Sequence, residues 1–368
     1  MFYEAYIAEA EKIFQQYQLQ EPLHLFLKKY FAQHKKFGSR DRRLISDLLY
    51  GIYRLGKQKD IPIRNAIGSA ALLMQQTPVR FFETCFPALL PQFGLSFSEN
   101  RAWLHKQYGI VLNAPTSLSK ELSIDAWTQN RFSIPRVFLR LRQKKEVLET
   151  LKKHDILFTE HDEEIISVLR TTALETVLNP AHYVIQDIAS QKIGNKIHIE
   201  SGANCWDACC ASGGKAIQLL DKNIAIQLLC SDIRKNILQN LKKRMHTYGY
   251  DNQYTAQQID ASQALAPQLY GAFDTVLCDV PCSGSGTWAR TPEQYYFFSE
   301  EKLKQYVGTQ KAILEQTLHA LKPNATLYYL TCSAFAAENE EAFAFDETYT
   351  IDCFEQGGDA MWMGIIKR

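Results

Sequence analysis

The sequence predicts an α/β protein whose residues 201–368 form a doubly wound sheet, preceded by a helical domain (1–115) and a small α+β module (116–200). After residue 201, apolar strand-like runs alternate with helical patterns, which is the order of parallel strands joined by crossover helices. Before residue 115, apolar side chains recur at helical spacing. With 368 residues, 46% of them hydrophobic, the chain is long enough to bury more than one core.

The first element to justify is the helical domain at residues 1–115. Ser39-Arg40-Asp41 is typical of a helix start, apolar residues follow at helical spacing, and Gly56 is a plausible stop. A second apolar helix is expected from Ile63 to Met74. Lysines and arginines cluster between residues 28 and 43. This cluster fits a solvated helix face and a surface for nucleic-acid phosphates equally well.

Within the middle module, bulky and charged residues alternate from Pro135 to Arg142, as in a strand. A helix rich in Lys and Glu follows from Lys144 to His154. Residues 131–153 hold eight basic and two acidic residues. The sequence therefore predicts a small α+β unit with a basic face, suited to contact with a phosphate backbone.

The C-terminal part predicts strands at 205–207, 225–232, 257–260, 273–279 and 325–331, with helices at 214–220, 236–246 and 302–321. Ligands of doubly wound sheets bind beyond the carboxyl ends of the strands. The polar residues at these ends are therefore the candidates for a site: Asp207, Asp232, Asp260, Asp279 and Cys332.

A turn of small residues, Asp207 to Lys215, joins the first of these strands to a helix. Its spacing matches neither a dinucleotide fingerprint nor a phosphate-binding Walker loop, so by itself it indicates a generic nucleotide-type site. Asp232 could accept two ribose hydroxyls and Asp260 an adenine amino group. Each carboxylate alone is more typical of a helix N-cap, but both in order after such a turn favour a cofactor site.

Two cysteines leave apolar strands into Ser-containing loops, Cys282 after Pro281 and Cys332 after Thr331. The nine cysteines, an odd number, and an N-terminus without the order of a signal peptide predict free thiols in a cytoplasmic protein. No apolar run approaches the ~20 residues of a membrane span. Zinc is the alternative interpretation. Cys-x3-Cys spacing at 205/209 and 278/282 suits it poorly, so no metal is expected.

These motifs resemble the RsmB/Sun (NOL/NOP) family of RNA cytosine-5 methyltransferases. The resemblance rests on the Asp-x-Cys-x-Ala-x-Gly-Gly-Lys turn, the Asp-x-Pro-Cys-Ser-Gly loop and the Thr-Cys-Ser…Glu-Asn-Glu segment, and it extends over residues 136–368. Val184 to Gln191 matches the family's entry into its catalytic domain, and the segment 41–54 is similar to a NusB-like RNA-binding domain. The family implies a Rossmann-like methyltransferase domain that uses S-adenosylmethionine.

The resemblance also implies roles for individual residues. Cys332 would attack carbon 6 of the cytosine, Cys282 would assist product release, and Asp279 would hold the base. Lys215 would pair with Asp279 or with the cofactor carboxylate, and Arg290 matches a loop position near the substrate. The expected cofactor-binding residues are Cys209, Ala211, Ser212, Gly213, Gly214, Lys215, Asp232, Asp260 and Asp279.

The expected substrate is ribosomal RNA, acted on by a monomer in rRNA processing. The alternatives are the same chemistry on tRNA, or an RNA-binding ribosome-assembly factor without catalysis. DNA methylation also uses a Pro-Cys nucleophile, but the Thr331-Cys332-Ser333 loop and the basic module disfavour it. Ser212 stands where the family has proline, and this predicts a looser cofactor loop.

Overall fold

The computed structural model describes residues 3–169, 172–222 and 224–368. The helices are α1 (Tyr3–Gln16), α2 (Leu23–Gln33), α3 (Ser39–Leu55), α4 (Ile63–Met74), α5 (Val79–Cys85), α6 (Phe97–Tyr108), α7 (Ile124–Asn130), α8 (Lys144–Lys153), α9 (Ile188–Asn195), α10 (Gly214–Leu220), α11 (Lys235–Thr247), α12 (Pro292–Tyr296) and α13 (Glu300–His319). The strands are β1 (Val137–Leu141), β2 (Phe158–Asp162), β3 (Ile165–Val168), β4 (Tyr183–Ile185), β5 (Asn204–Asp207), β6 (Gln227–Asp232), β7 (Tyr254–Gln258), β8 (Phe273–Asp279), β9 (Leu321–Thr331), β10 (Glu347–Asp352) and β11 (Ala360–Lys367).

The chain divides into two compact units. The first, here the helical unit, contains residues 3–115, 123–134 and 288–299; the second, here the sheet unit, contains the described parts of 116–122, 135–287 and 300–368. The predicted domain boundaries at residues 115 and 200 stay a prediction.

The helical unit contains the two N-terminal helices that the sequence predicts. Helix α3 begins at Ser39, where the Asp41 carboxylate accepts the backbone N–H of Gly38 at 2.9 Å. This bond satisfies one of the donors that a helix start leaves unpaired. The helix ends before Gly56, whose φ of 74° favours glycine. Helix α4 spans Ile63–Met74, as expected.

The core of the helical unit includes a segment from far along the chain. Tyr296 of α12 packs its ring 5.5 Å from that of Phe14 and 5.4 Å from that of the buried Tyr53. The Glu293 carboxylate accepts the backbone N–H of Leu23 at 3.4 Å. Residues 288–299 are therefore a structural part of the helical unit, which no local pattern in the sequence indicated.

Within the sheet unit, a small antiparallel sheet has the strand order β2-β3-β1-β4. Helix α8 buries Val147 and Leu151 in one cluster with Leu139 of β1. The predicted basic face is smaller than the sequence suggested. Arg140 is buried and paired with Asp221 at 2.6 Å, and the guanidinium of Arg142 lies 2.9 Å from the same carboxylate.

Arg131 is a further basic residue that the composition placed on this face, but it lies buried in the helical unit, 3.8 Å from the ring centre of Tyr295. Exposed basic side chains nevertheless remain on α8, at Lys144, Lys145, Lys152 and Lys153.

The larger sheet has the order β10-β11-β9-β8-β5-β6-β7. Strands β9-β8-β5-β6-β7 run parallel, which confirms the predicted doubly wound sheet. Strands β10 and β11 add an antiparallel edge that was not predicted. The third predicted strand was placed too late: β7 ends at Gln258, so Asp260 lies in the loop beyond it. In the described part of the chain, no helix is long and apolar enough to cross a membrane.

Candidate active site

The turn after β5 is shaped by Gly213, directly before α10. Its φ is +81°, and a Cβ at this position would lie 2.3 Å from Cδ1 of Leu241. Both facts exclude a larger residue without rearrangement. A Cβ on the next residue, Gly214, would meet no atom within 4 Å. The two glycines of the motif therefore serve different purposes, since only the first is required by the protein's own packing.

Ser212 is fastened by a partner that the sequence did not reveal. Arg244 of α11 donates to the Ser212 carbonyl oxygen at 2.9 Å and contacts its hydroxyl at 2.8 Å. We expected this loop to be looser because it lacks the family's proline. The structure instead ties it to the neighbouring helix α11.

A cavity of about 450 Å³ lies at the carboxyl ends of β5, β6, β7 and β8. Its volume falls in the usual range for small-molecule sites. Carboxylates and apolar side chains alternate around it, among them Cys209, Ala211, Asp232, Ile233, Asp260, Asp279, Pro281 and Ile313. The structure therefore brings together five of the predicted cofactor-binding residues. The donor set fits a nucleoside, because an apolar slot can take a flat base and carboxylates can accept hydroxyl and amino groups.

The carboxylate oxygens of Asp232 already accept hydrogen bonds from the protein itself. Its Oδ1 accepts the Arg234 backbone N–H and Nε at 2.9 Å each, and its Oδ2 accepts Arg234 Nη2 at 2.9 Å and the Ala211 N–H at 3.1 Å. Burial opposes ionisation of Asp232, but the hydrogen bonds from Arg234 and Ala211 outweigh it and lower its pKa. Asp232 is thus an ionised carboxylate whose acceptor positions are filled.

Asp260 and Asp207 have contrasting surroundings. Asp260 accepts the backbone N–H of Ser262 at 3.0 Å and its hydroxyl at 2.6 Å, at the rim of the cavity. Asp207 ends β5 and is buried, and its Oδ1 has no hydrogen-bond partner within the described ranges. Burial, followed by the nearby Asp279 carboxylate, raises the pKa of Asp207 to about 7.

The predicted lysine and aspartate form an ion pair. Lys215 Nζ lies 2.6 Å from Asp279 Oδ2, with the lysine side chain 7% and the aspartate side chain 35% exposed. We expected Lys215 to pair with Asp279 or with the cofactor carboxylate, and in the structure it pairs with Asp279. Lys215 is buried on α10, whereas Asp279 opens onto the cavity at the end of β8.

The side chains of the two loop cysteines are in contact. Cys282 Sγ and Cys332 Sγ are 3.4 Å apart, and both residues are partly exposed. Their strands are parallel neighbours in which Asp279 of β8 pairs with Leu330 of β9, so the loops leave the sheet side by side. The hydrogen bond with Cys332, burial and the Glu338 carboxylate raise the pKa of the Cys282 thiol. The raised pKa favours the thiol form of Cys282.

Glu338 is a site residue whose role the sequence did not reveal. Its carboxylate is fully buried and accepts hydrogen bonds from residues of both cysteine loops and from Gln310 of α13. The only signal for it was its place in the motif that follows Cys332.

The remaining cysteines and Arg290, which the sequence singled out, lie outside this cluster. Cys205, Cys210, Cys230 and Cys278 are buried free thiols, as packed small hydrophobes would be. Among the described residues, no group of three or more His, Cys, Asp or Glu side chains could hold a metal ion. Arg290 is exposed in segment 288–299 of the helical unit, and its role near the substrate stays a prediction.

A doubly wound sheet with a glycine-containing turn, carboxylates beyond the following strands and a nucleoside-sized cavity defines a Rossmann-like methyltransferase. Solved structures support the fold. The structure called PH0851 has a TM-score of 0.64 at 17% identity and covers 93% of each chain. The structure described as NSun6 from Pyrococcus horikoshii with SFG has a TM-score of 0.56 at 14% identity, covering 73% of this chain and 97% of that one.

Residues 196–346 match the family described as 16S rRNA methyltransferase RsmB/F. These residues thus resemble the RsmB/F methyltransferases, which confirms the predicted resemblance and the predicted cofactor, S-adenosylmethionine. The ribosomal RNA small subunit methyltransferase B of Xanthomonas campestris pv. campestris is 30% identical over 162 residues, 43% of this chain and 37% of the relative. This chain therefore spans less than half of that relative's length.

Proposed function

We propose that the protein methylates carbon 5 of a cytosine in ribosomal RNA, with Cys332 as the attacking thiolate. The observation that carries this proposal is the contact of 3.4 Å between the Cys282 and Cys332 sulfurs at the carboxyl edge of the sheet, where the Lys215–Asp279 pair also lies. The name of the Xanthomonas relative supports ribosomal RNA of the small subunit as the substrate.

The chemistry explains why two thiols are useful. S-adenosylmethionine, when bound, supplies an electrophilic methyl group. Carbon 5 of cytosine is a weak nucleophile until a thiolate adds to carbon 6, because that addition makes carbon 5 enamine-like. Once carbon 5 is methylated, its proton must pass to a base, such as a water molecule reaching the partly exposed cysteines, so that the sulfur can be eliminated.

The surroundings of the thiols support the proposed roles. The raised pKa of Cys282 favours its thiol form, which can donate its S–H to the Cys332 sulfur 3.4 Å away. A hydrogen bond of this kind stabilises Cys332 as a thiolate, both before attack and when it departs. Asp279, at the rim of the cavity, is placed to hold the amino edge of the base, and Lys215 fixes the orientation of its carboxylate at 2.6 Å.

The cofactor residues follow from the same geometry. Asp232 would accept the ribose hydroxyls, Asp260 the adenine amino group, and the turn at Cys209 to Gly214 would hold the methionine portion. The cavity that Cys209, Ala211, Asp232 and Asp260 line supports the assignment. The target cytosine must be unstacked or single-stranded to reach the site.

Two substitutions test the mechanism. Cys332→Ala should lower methylation at least ~10³-fold and abolish covalent capture of RNA, because the nucleophile is gone. Cys282→Ala should instead accumulate a protein–RNA adduct. The measurements are denaturing gel shifts of trapped RNA and bisulfite sequencing of ribosomal and transfer RNA from cells with and without the protein.

Cys85→Ala, in the helical unit, is the matched control and should leave both measurements unchanged. If Cys332→Ala kept turnover while Cys282→Ala lost all adduct, the assigned roles would be reversed. If methylcytosine disappeared only from tRNA, the ribosomal substrate would be wrong.

A further inference from the structure

Each reactive cysteine is followed by a serine, and both serines bind one carboxylate. Glu338 Oε2 accepts the hydroxyls of Ser283 and Ser333 at 2.5 Å each. Glu338 Oε1 accepts the backbone N–H of Ser283 at 2.8 Å and the side-chain amide of Gln310 at 3.0 Å. Four donors thus converge on one fully buried side chain.

This carboxylate adds buried side-chain bonds to two loops that the backbone joins through the Gly286 N–H, which donates to the Cys332 carbonyl oxygen at 3.0 Å. The Ser283 and Ser333 hydroxyls lie 3.3 Å apart, and Ser285 contacts both at 3.1 Å. A buried carboxylate strongly favours keeping its donors, because its desolvation is offset only by hydrogen bonds. Moving either loop away from the other would therefore break charge-assisted bonds in the interior.

Glu338 is itself held in place by the residues around it. It ends a single buried turn, Ala336–Glu338, and its carbonyl oxygen accepts the Tyr329 hydroxyl at 2.8 Å. The next residue, Asn339, accepts the Thr331 hydroxyl at 2.5 Å and donates to the Ser333 carbonyl oxygen at 3.0 Å. The position of Glu338 is thus fixed by Tyr329 of β9 and by the residues on either side of Cys332, and its carboxylate then holds the Cys282 loop through Ser283.

We propose that Glu338 is the positioning residue that sets the distance between the sulfurs of Cys282 and Cys332. Glu338 does not bind either sulfur itself. It acts through Ser283 and Ser333, the residues that follow Cys282 and Cys332. The importance of this distance for methyl transfer rests on the proposed function. The distance itself does not, and it can be measured without any methyl transfer.

A trivalent arsenical measures the distance directly. Phenylarsine oxide condenses with two thiols, forming two As–S bonds and releasing one water, and it binds tightly only where both sulfurs are held at contact distance. In the full-length wild-type protein we expect one arsenic bridging Cys282 and Cys332, located by mass spectrometry. Its affinity is measured by competition with dithiothreitol, and Cys332→Ala should abolish the bridge.

Glu338→Gln should weaken the bridge about tenfold or more, because charge-assisted bonds on both loops are lost. The matched control is Glu340→Gln, the same change two residues on, where the carboxylate accepts the Lys120 N–H at 2.9 Å. It should leave the affinity unchanged. Ser283→Ala keeps Glu338 and should give a smaller loss, and the double variant Ser283→Ala/Glu338→Gln should lose less than the sum of the two single changes, since both act through one bond.

A wild-type protein that fails to bridge, or a Glu338→Gln variant that is folded and bridges normally, would overturn the proposal. If Glu338→Gln does not fold, Ser283→Ala and its cycle with Ser333→Ala decide the question in the same assay. If the variants weaken arsenic bridging as expected but leave RNA methylation unchanged, the positioning role of Glu338 is retained. The proposed function is then contradicted instead.

Discussion

Single carboxylates at the edge of the sheet differ because their neighbours differ. Asp232 is ionised and satisfied by Arg234, whereas Asp207 is buried with an unpartnered oxygen and a pKa of about 7. The sequence presents both as acidic residues at strand ends. Their hydrogen-bond partners separate a carboxylate that stays ionised from one that favours its proton.

The contact between Asp232 and Arg234 leads to a prediction about cofactor affinity. A carboxylate has about four acceptor positions, and Arg234 and Ala211 fill them. Ribose hydroxyls must therefore displace the guanidinium. Arg234→Gln should tighten binding of S-adenosylmethionine about two- to fivefold, as the loss of a partly exposed ion pair implies. Asp232→Asn should weaken it about tenfold or more, as measured by calorimetric titration.

Asp260→Asn is the companion variant and tests the adenine contact in the same titration. Unchanged affinity for both aspartate variants would remove them from the cofactor site. A loss of affinity in Arg234→Gln would mean that the guanidinium contributes to the site rather than competing for it.

At the scale of elements, the junction between β5 and α10 shows how one motif combines packing and binding. Gly213 has a positive φ and lies against Leu241 of α11, while Gly214 faces open space. A sequence motif records both glycines alike. The structure separates the one required by the fold from the one available to a ligand.

We predict opposite behaviour for alanine at these two glycines. Gly213→Ala should destabilise the protein by about 1–3 kcal/mol, because it combines an unfavourable φ with overpacking. Gly214→Ala should leave the free energy of unfolding within about 0.5 kcal/mol of wild type and weaken cofactor binding. Denaturant unfolding and cofactor titration measure the two effects. Equal stability losses would contradict the division of roles.

At the scale of the whole molecule, the helical unit is completed by a piece of chain that follows the Cys282 loop. Residues 288–299 come directly after that loop and contribute Tyr296 and Phe297 to the helical core. Only a few residues of the chain separate Cys282 from residue 288, where this segment begins. The stability of the helical unit therefore depends on sequence far from the N-terminus.

Tyr296→Ala should lower the stability of the helical unit by about 2 kcal/mol, because its ring packs on Phe14 and Tyr53. Native-state proteolysis should detect earlier cleavage within residues 3–115, and denaturant unfolding should confirm the loss. Tyr270→Ala is the control, since Tyr270 is 47% exposed in the sheet unit. Equal protease resistance of the Tyr296→Ala variant and wild type would show that the segment is dispensable to this core.

Local patterns were enough for most elements of the fold. The start of α3 at Ser39, the helix Ile63–Met74 and the strand Phe273–Asp279 agree with the expectation, because periodicity and capping act over a few residues. The pattern misplaced β7 by two to three residues and omitted the antiparallel strands β10 and β11. Those strands are defined by pairing across the sheet, which no local pattern encodes.

The amino-acid sequence by itself determined the doubly wound sheet, the resemblance to a family and the residues at the strand ends, because each is written in consecutive positions. Tertiary structure alone decided how these residues meet: Arg234 on Asp232, Arg244 on Ser212, and Glu338 between the loops of Cys282 and Cys332. The physical reason is that a hydrogen bond depends on distance in space. That distance follows from strand order and register, not from separation along the chain.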